Sequence, residues 1–197
     1  MAKYSRVYAD VVAAMAREPM PRYISCCGGT RSGKTYSILE LLIQLAEADA
    51  TPSITSVVSE TLPHLKRGAI RDFKAIMGTQ WNEAQWSKTE NIYTFRSGSI
   101  IEFFSADSPA KVHGPARDRL FINEAQNIPF DTFRQLAVRT KKVILIDYNP
   151  THSFYVNETL ETDAKCVRLH STYLDNCDHI TGRSFLTDEQ VQEIERN

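Results

Sequence analysis

Gly28-Gly29-Thr30-Arg31-Ser32-Gly33-Lys34-Thr35 matches the phosphate-cradling pattern G-x-x-x-x-G-K-[ST] at every position. Its flanks agree. Arg22-Tyr23-Ile24-Ser25-Cys26-Cys27 reads as a short buried strand, and after Thr35 the apolar residues Ile38, Leu41, Leu42 and Leu45 recur at helical spacing. Strand, glycine loop and helix are what phosphate binding needs, because glycines let successive backbone amides turn inward and the helix N-terminus adds partial positive charge. Lys34 would reach the terminal phosphates, and the Thr35 hydroxyl would ligate magnesium. The alternative is a glycine-rich turn whose lysine meets only solvent, which the full match and both flanks disfavour. The chain reads as a nucleotide-binding protein.

With 197 residues, 42% hydrophobic and 24% charged, the chain has the composition and length for one full core. A formal net charge of −1 argues neither for nor against nucleic acid. Lys66, Arg67, Arg71, Lys74, Lys88, Arg96, Lys111, Arg117 and Arg119 make the middle third basic, either to meet a polyanion or as a solvated surface. Cys26 and Cys27 are adjacent, Cys166 and Cys177 are isolated, and no zinc spacing occurs, so reduced thiols in a cytoplasmic setting are expected. The apolar run from Val11 to Ala16 is interrupted by Arg17-Glu18, too soon for a secretory signal or a membrane span. A soluble chain without membrane contact is the expectation.

Outward from the loop, residues 4–17 are predicted helical, ended by Pro19 and Pro21. Strands are predicted at Ile54 to Ser59, Arg119 to Ile122 and Val143 to Ile146, the last apolar enough to be buried on both faces of a parallel sheet. A basic helix is predicted from Leu65 to Met77 and another over residues 130–139. Asn91 to Phe95 and Ile100 to Phe104 pair as a hairpin across Arg96-Ser97-Gly98-Ser99. Thr187-Asp188-Glu189-Gln190 is a capping box that opens a last helix.

Two further stretches carry chemistry. Leu120-Phe121-Ile122 runs into Asn123-Glu124-Ala125, where hydrolysing loop enzymes place a magnesium-facing Asp followed by a catalytic Glu. Glu124 would act as general base toward water, unless it only caps the helix that follows. Asn123 departs from Asp; its amide can hold a magnesium-bound water but adds no charge, so metal binding would rest mostly on Thr35 and the phosphates. Asp147-Tyr148-Asn149-Pro150 follows the apolar strand and either senses the terminal phosphate or forms an ordinary turn. Arg22 or Tyr23 could stack on an adenine, with a strand-core role for Tyr23 as the alternative.

Together with Gly98-Ser99-Ile100-Ile101 and His170-Ser171-Thr172-Tyr173-Leu174-Asp175-Asn176, these motifs resemble the ATPase domain of tailed-phage terminase large subunits, over roughly residues 20–177. The resemblance implies an α/β P-loop NTPase of the additional-strand type, with a mainly parallel sheet flanked by helices and a β-hairpin insertion. It implies ATP and Mg2+ as cofactors, and DNA packaging in the host cytoplasm as the function. Double-stranded DNA, a portal protein and a small terminase subunit are the implied partners, with assembly as a homo-oligomeric ring. Arg31 matches a family position that touches the phosphates, and Asn149 matches one with a coupling role. Residues 1–177 would be the ATPase domain and 178–197 a linker or the start of a following helix, with the family's C-terminal nuclease domain absent. The family usually shows Arg-Gly shortly before the catalytic glutamate, as a candidate arginine finger. Here the position reads His113-Gly114, and a neutral imidazole cannot replace a guanidinium, so Arg117 or Arg119 would have to serve.

Two other readings share the loop. The first lobe of a two-lobed nucleic-acid helicase would usually show Asp-Glu-x-[Asp/His] where this chain has Asn-Glu-Ala-Gln. A P-loop small-molecule kinase would lack the water-activating Glu124.

Overall fold

Strand β1 (Tyr23–Gly28) delivers the glycine loop at its carboxyl end, one position in from the sheet edge. The structure is a computed structural model that describes residues 3–196. Among the described residues eight strands form one sheet, the others being β2 (Ile54–Ser59), β3 (Trp86–Ser87), β4 (Ile92–Thr94), β5 (Ile100–Ser105), β6 (Arg117–Ile122), β7 (Thr140–Tyr148) and β8 (Cys166–Ser171). The order across the sheet is β3-β4-β5-β2-β6-β7-β1-β8. From β5 to β8 every pairing is parallel; β4 and β5 form the predicted antiparallel hairpin, and β3 adds antiparallel to β4. Strand β7 lies between β1, which carries the loop, and β6, which leads to Asn123 and Glu124. This is the additional-strand arrangement.

Helices α1 (Arg6–Met15), α2 (Lys34–Ala48), α3 (Leu62–Arg67), α4 (Ala69–Met77), α5 (Pro109–Val112), α6 (Phe130–Val138) and α7 (Asp188–Arg196) complete the elements used below. Alternation along each strand divides the core in two. Ile24, Cys26, Val57, Phe103, Phe121, Val143 and Leu145 pack with Val11, Ile38, Leu42 and Phe73 of α1, α2 and α4. Cys27, Val58, Phe104, Leu120, Ile122, Ile144 and Ile146 pack with Phe133 and Leu136 of α6 on the other face. With both faces covered, each buried Leu, Ile, Val or Phe contributes about 1.5–3 kcal/mol by leaving water. The same parity sends the next odd residues of β6 and β7, Asn123 and Asp147, toward the α2 side.

The hairpin is fastened to α4 by aromatic packing. Phe73 meets the rings of Trp81, Tyr93, Phe95 and Phe103 edge-on, at centroid separations of 6.1, 5.5, 6.5 and 5.1 Å. The Lys74 ammonium lies 4.8 Å from the Trp81 ring centroid and 5.2 Å from that of Trp86.

Three elements differ from the sequence expectation. The single helix predicted from Leu65 to Met77 is two helices, broken at Gly68 (φ −103°, ψ −102°), whose N–H turns back to the His64 carbonyl at 2.9 Å. Strand β7 extends past Val143 to Ile146 at both ends, because β1 and β6 pair it on both sides and carry polar flanking residues along. Strand β8 is an edge strand whose exposed Arg168 and His170 interrupt any apolar run. The capping box of α7 forms as predicted: the Gln190 N–H donates to Thr187 Oγ1 at 3.3 Å, and the Thr187 N–H donates to Gln190 Oε1 at 3.1 Å.

At the amino end of β6, far from the loop, Arg119 donates through Nη1 and Nη2 to Asp49 at 2.9 and 2.6 Å, and through Nη1 to Ser53 Oγ at 3.0 Å. The side chains are 6% and 15% exposed, so this is a buried pair that ties the end of α2 to the sheet. Arg119→Ala should therefore destabilise the fold by about 3–5 kcal/mol, because it strands a buried carboxylate; urea denaturation measures this. Hydrogen bonding from Arg119 holds the Asp49 carboxyl down at about 2, from an ordinary 3.8. Its contribution is complete above the unfolded value and is lost as pH falls through 3.8 toward about 2. Asp49→Asn should remove that portion of the acid sensitivity, read from unfolding curves across the same range.

Candidate functional site

The glycine loop needs its special backbone. Gly33 sits at φ 81°, ψ 9° as the N-cap of α2, which has no side-chain cap, so the first-turn amides are left to an incoming anion. A Cβ at Gly33 would lie 3.0 Å from Asn176 Oδ1, and one at Gly28 would lie 2.1 Å from the Ser171 carbonyl oxygen of β8. Asn176 Nδ2 donates to the Arg31 carbonyl at 2.9 Å and steadies the loop from outside. The Arg31 guanidinium points the same way, 3.2 Å from Glu193 of α7.

Lys34 is buried, and its ammonium is wrapped by the loop's own oxygens. It donates to Gly28 O at 2.7 Å, Gly29 O at 3.0 Å, Ser32 Oγ at 3.0 Å and Asn149 Oδ1 at 3.3 Å. Burial pushes its pKa below the ordinary lysine value, and the negative charge of Asp147 opposes that shift.

Opposite the loop, Ile122 and Ile146 are register partners, so Asn123 and Asp147 emerge side by side. Asp147 is 2% exposed, and three groups donate to it. Thr35 Oγ1 donates to Oδ2 at 2.5 Å, the Glu124 N–H donates to Oδ1 at 2.6 Å, and Asn123 Nδ2 lies 3.1 Å from both oxygens. Burial pushes the Asp147 carboxyl up, while those donors and Lys34 oppose the shift. Glu124 itself adopts φ 55°, ψ 57° and swings its side chain out of the strand. Its Oε2 lies 3.2 Å from His64 Nε2 and accepts from Asn127 Nδ2 at 3.2 Å. The cleft between these walls has a volume of about 220 Å³ and runs from Gly29 to Tyr36 on one side to Glu124, Asp147 and Asn149 on the other. A larger cavity of about 650 Å³ lies elsewhere, beside Trp81, Tyr93 and Phe95, and lacks the loop's amides and cation.

Among the described residues no group of three or more His, Cys, Asp or Glu side chains could hold a metal by itself. A magnesium ion would need phosphate oxygens in addition to Thr35 Oγ1, and these hard oxygen donors suit it. Asn123, expected beside the metal, accepts from Ser59 Oγ at 2.7 Å through its carbonyl oxygen and turns its amide nitrogen to Asp147.

Comparison of the whole chain with solved structures gives matches over nearly its full length. The large terminase of a thermophilic bacteriophage aligns with a TM-score of 0.79 at 17% identity, over 99% of this chain and 50% of that one. The same terminase in complex with ATP-γ-S aligns at 0.76, also at 17% identity, over 98% of this chain and 49% of that one. The large terminase ATPase domain of a Thermus phage aligns at 0.58 and 14% identity, over 86% of this chain and 80% of that one. The fold is that of a phage large-terminase ATPase domain. The chain spans about half the length of the first two structures. No protein-family model matches it, and no match is found among curated proteins.

Within that terminase fold, several residues singled out from the sequence stand away from the cleft. Arg117 and Arg119 begin β6, whereas Glu124 follows its other end. Arg117 is 1% exposed, donates to Leu136 O at 3.4 Å and covers the Phe104 ring at 5.6 Å; burial pushes its pKa down. Arg119 is committed to Asp49. Both guanidiniums are thus engaged inside the fold, at the end of β6 away from Glu124, and neither stands free at the surface as the finger expectation would need. His113 is exposed just after α5. Arg22 and Tyr23 stand at the start of β1, the end away from the loop: Arg22 donates to Ala137 O at 2.7 Å, and Tyr23 packs on Phe133 at 6.3 Å. Tyr23 therefore packs in its strand-core role, and both residues lie at the opposite end of β1 from the loop. Conversely, His64 and Asn127 reach the site from segments whose local sequence gives no sign of it, whereas Asn176 closes the stretch His170 to Asn176 singled out above and meets the loop at Arg31.

Gly33→Ala should weaken nucleotide binding and cost about 1–2 kcal/mol of stability, since an L-residue must hold a left-handed φ there. Titration with a fluorescent nucleotide and urea denaturation test the two effects separately.

Proposed function

We propose that this chain is the ATP-hydrolysing motor domain of a DNA-packaging terminase, using ATP to drive double-stranded DNA into a procapsid. One juxtaposition carries the reading: the loop of Lys34 and Thr35 faces Glu124 across a single cleft, with Asp147 joined to both walls. The likeness in fold to the thermophilic-phage large terminase, solved with ADP and with ATP-γ-S, supports a nucleotide as ligand.

The chain's own residues divide the work. The amides of residues 29–35 and the start of α2 surround the phosphates. Lys34 exchanges its carbonyl partners for phosphate oxygens. Thr35 would help hold a magnesium ion together with the phosphates, and that ion would supply charge neutralisation at the phosphate. Glu124 takes a proton from water as the water oxygen bonds to the γ-phosphorus and the bond to the ADP oxygen breaks. Asn149 loses its Lys34 donor when the ammonium turns to phosphate, so the segment after β7 registers occupancy, in keeping with a coupling role. Arg31 can serve the phosphates only by leaving Glu193.

The same reading brings a ring of identical subunits, a portal protein and a small terminase subunit as partners. It takes residues 1–177 as the ATPase domain and 178–197 as a linking segment. No helix among the described residues is long and apolar enough to cross a membrane.

Lys34→Ala should abolish productive ATP binding, because it removes the cation at the terminal phosphates. Glu124→Gln should bind ATP and retain it, with turnover lowered by about 100-fold or more, the usual worth of a general base. Nucleotide titration and phosphate release on both variants decide this. Turnover of Glu124→Gln at the parent rate would remove Glu124 from the chemistry.

A further inference from the structure

We propose that Asp147, at the end of β7, is the carboxylate that orients the magnesium side of this site, in place of the acid that Asn123 lacks on β6. The proposal rests on the ATP-hydrolysis reading above and assigns a positioning residue within it. The Asn123 amide has one sensible orientation. Its carbonyl oxygen accepts from Ser59 Oγ at 2.7 Å, and its nitrogen faces both oxygens of Asp147 at 3.1 Å. Flipping the amide would set its oxygen against a carboxylate. Asn123 therefore offers a donor, not an acceptor, to the cleft, and a donor cannot hold a cation.

Asp147 supplies what is missing. A hydroxyl that ligates a cation must aim a lone pair at it and send its proton elsewhere. Thr35 Oγ1 donates its proton to Asp147 Oδ2 at 2.5 Å. The other carboxylate oxygen accepts the Glu124 N–H at 2.6 Å, in the turn where Glu124 takes its left-handed φ of 55°. One carboxylate thus sets the ligand hydroxyl and the backbone of the general base together. The topology explains the transfer: β7 lies between β1 and β6, and Asp147 is level with Cys26 of β1 and with Asn123. A charge moved from β6 to β7 remains beside Thr35.

The test compares the unmodified chain, Asp147→Asn, and Asn123→Asp combined with Asp147→Asn, which returns the charge to β6. Binding of a fluorescent ATP analogue is titrated with magnesium and with EDTA, and urea denaturation reports folding. For Asp147→Asn the gain in affinity on adding magnesium should fall by about 10- to 100-fold, the usual effect of losing an outer-sphere partner, while binding in EDTA stays near that of the unmodified chain. The double variant should recover most of the magnesium effect, and its retained carboxylate–amide pair keeps the test valid if the single variant folds poorly. A purely structural role would weaken binding equally with and without magnesium and would overturn the proposal. So would an undiminished magnesium effect in Asp147→Asn, or a folded double variant with no recovery. If the unmodified chain binds no nucleotide, the ATPase reading falls and this proposal with it; the other failures leave that reading standing.

Discussion

A carboxylate buried to 2% exposure has to be met by donors, and the donors that meet Asp147 come from the structures that must act together. They are the hydroxyl of the loop threonine, the backbone of the glutamate turn and the amide of Asn123. The ends of β6 and β7 and the start of α2 converge on one side chain. Replacing that side chain by one without an acceptor would leave three oriented donors unpaired at this end of the sheet.

The rest of the architecture holds that end rigid. The strands flanking β7 are themselves packed on both faces, so their carboxyl ends cannot shift independently. At the far end of the same sheet the Arg119–Asp49 pair fixes where α2 stops, and α2 is the helix whose uncapped start faces the cleft. On the opposite sheet face Glu161 accepts from Ser25 of β1 at 2.5 Å and from Tyr148 of β7 at 2.7 Å, locking the two strands from below the loop.

Much of this was legible in the sequence, for physical reasons. A phosphate loop needs a fixed set of residues in a row, so Gly28 to Thr35 disclosed itself together with the strand and helix around it. The apolar core of β7 disclosed a strand buried on both faces. The arginines show the limit, because sequence reveals that a charge exists but not whether it is spent: Arg117 and Arg119 are buried, one over Phe104 and one on Asp49. Arg22 and Tyr23 precede the loop in sequence but lie at the other end of β1 in space. His64 lies on α3, a short helix ahead of the Gly68 break that the sequence pattern did not separate, and meets Glu124 at 3.2 Å. Asp147 was visible as a residue, but its partnership with Thr35 depends on strand order, which no local pattern encodes.

The ammonium of Lys34, ringed by four oxygens of its own chain, means that the loop in this structure carries a surrogate for its ligand. Entry of the proposed nucleotide would then be an exchange reaction, in which phosphate oxygens compete with Gly28, Gly29, Ser32 and Asn149 for the same protons. Affinity reports the difference between two sets of partners, not the full strength of either. On the proposed ATP-hydrolysing reading, a small difference would ease release of spent nucleotide, because the departing phosphate would leave behind a cation that already has somewhere to go.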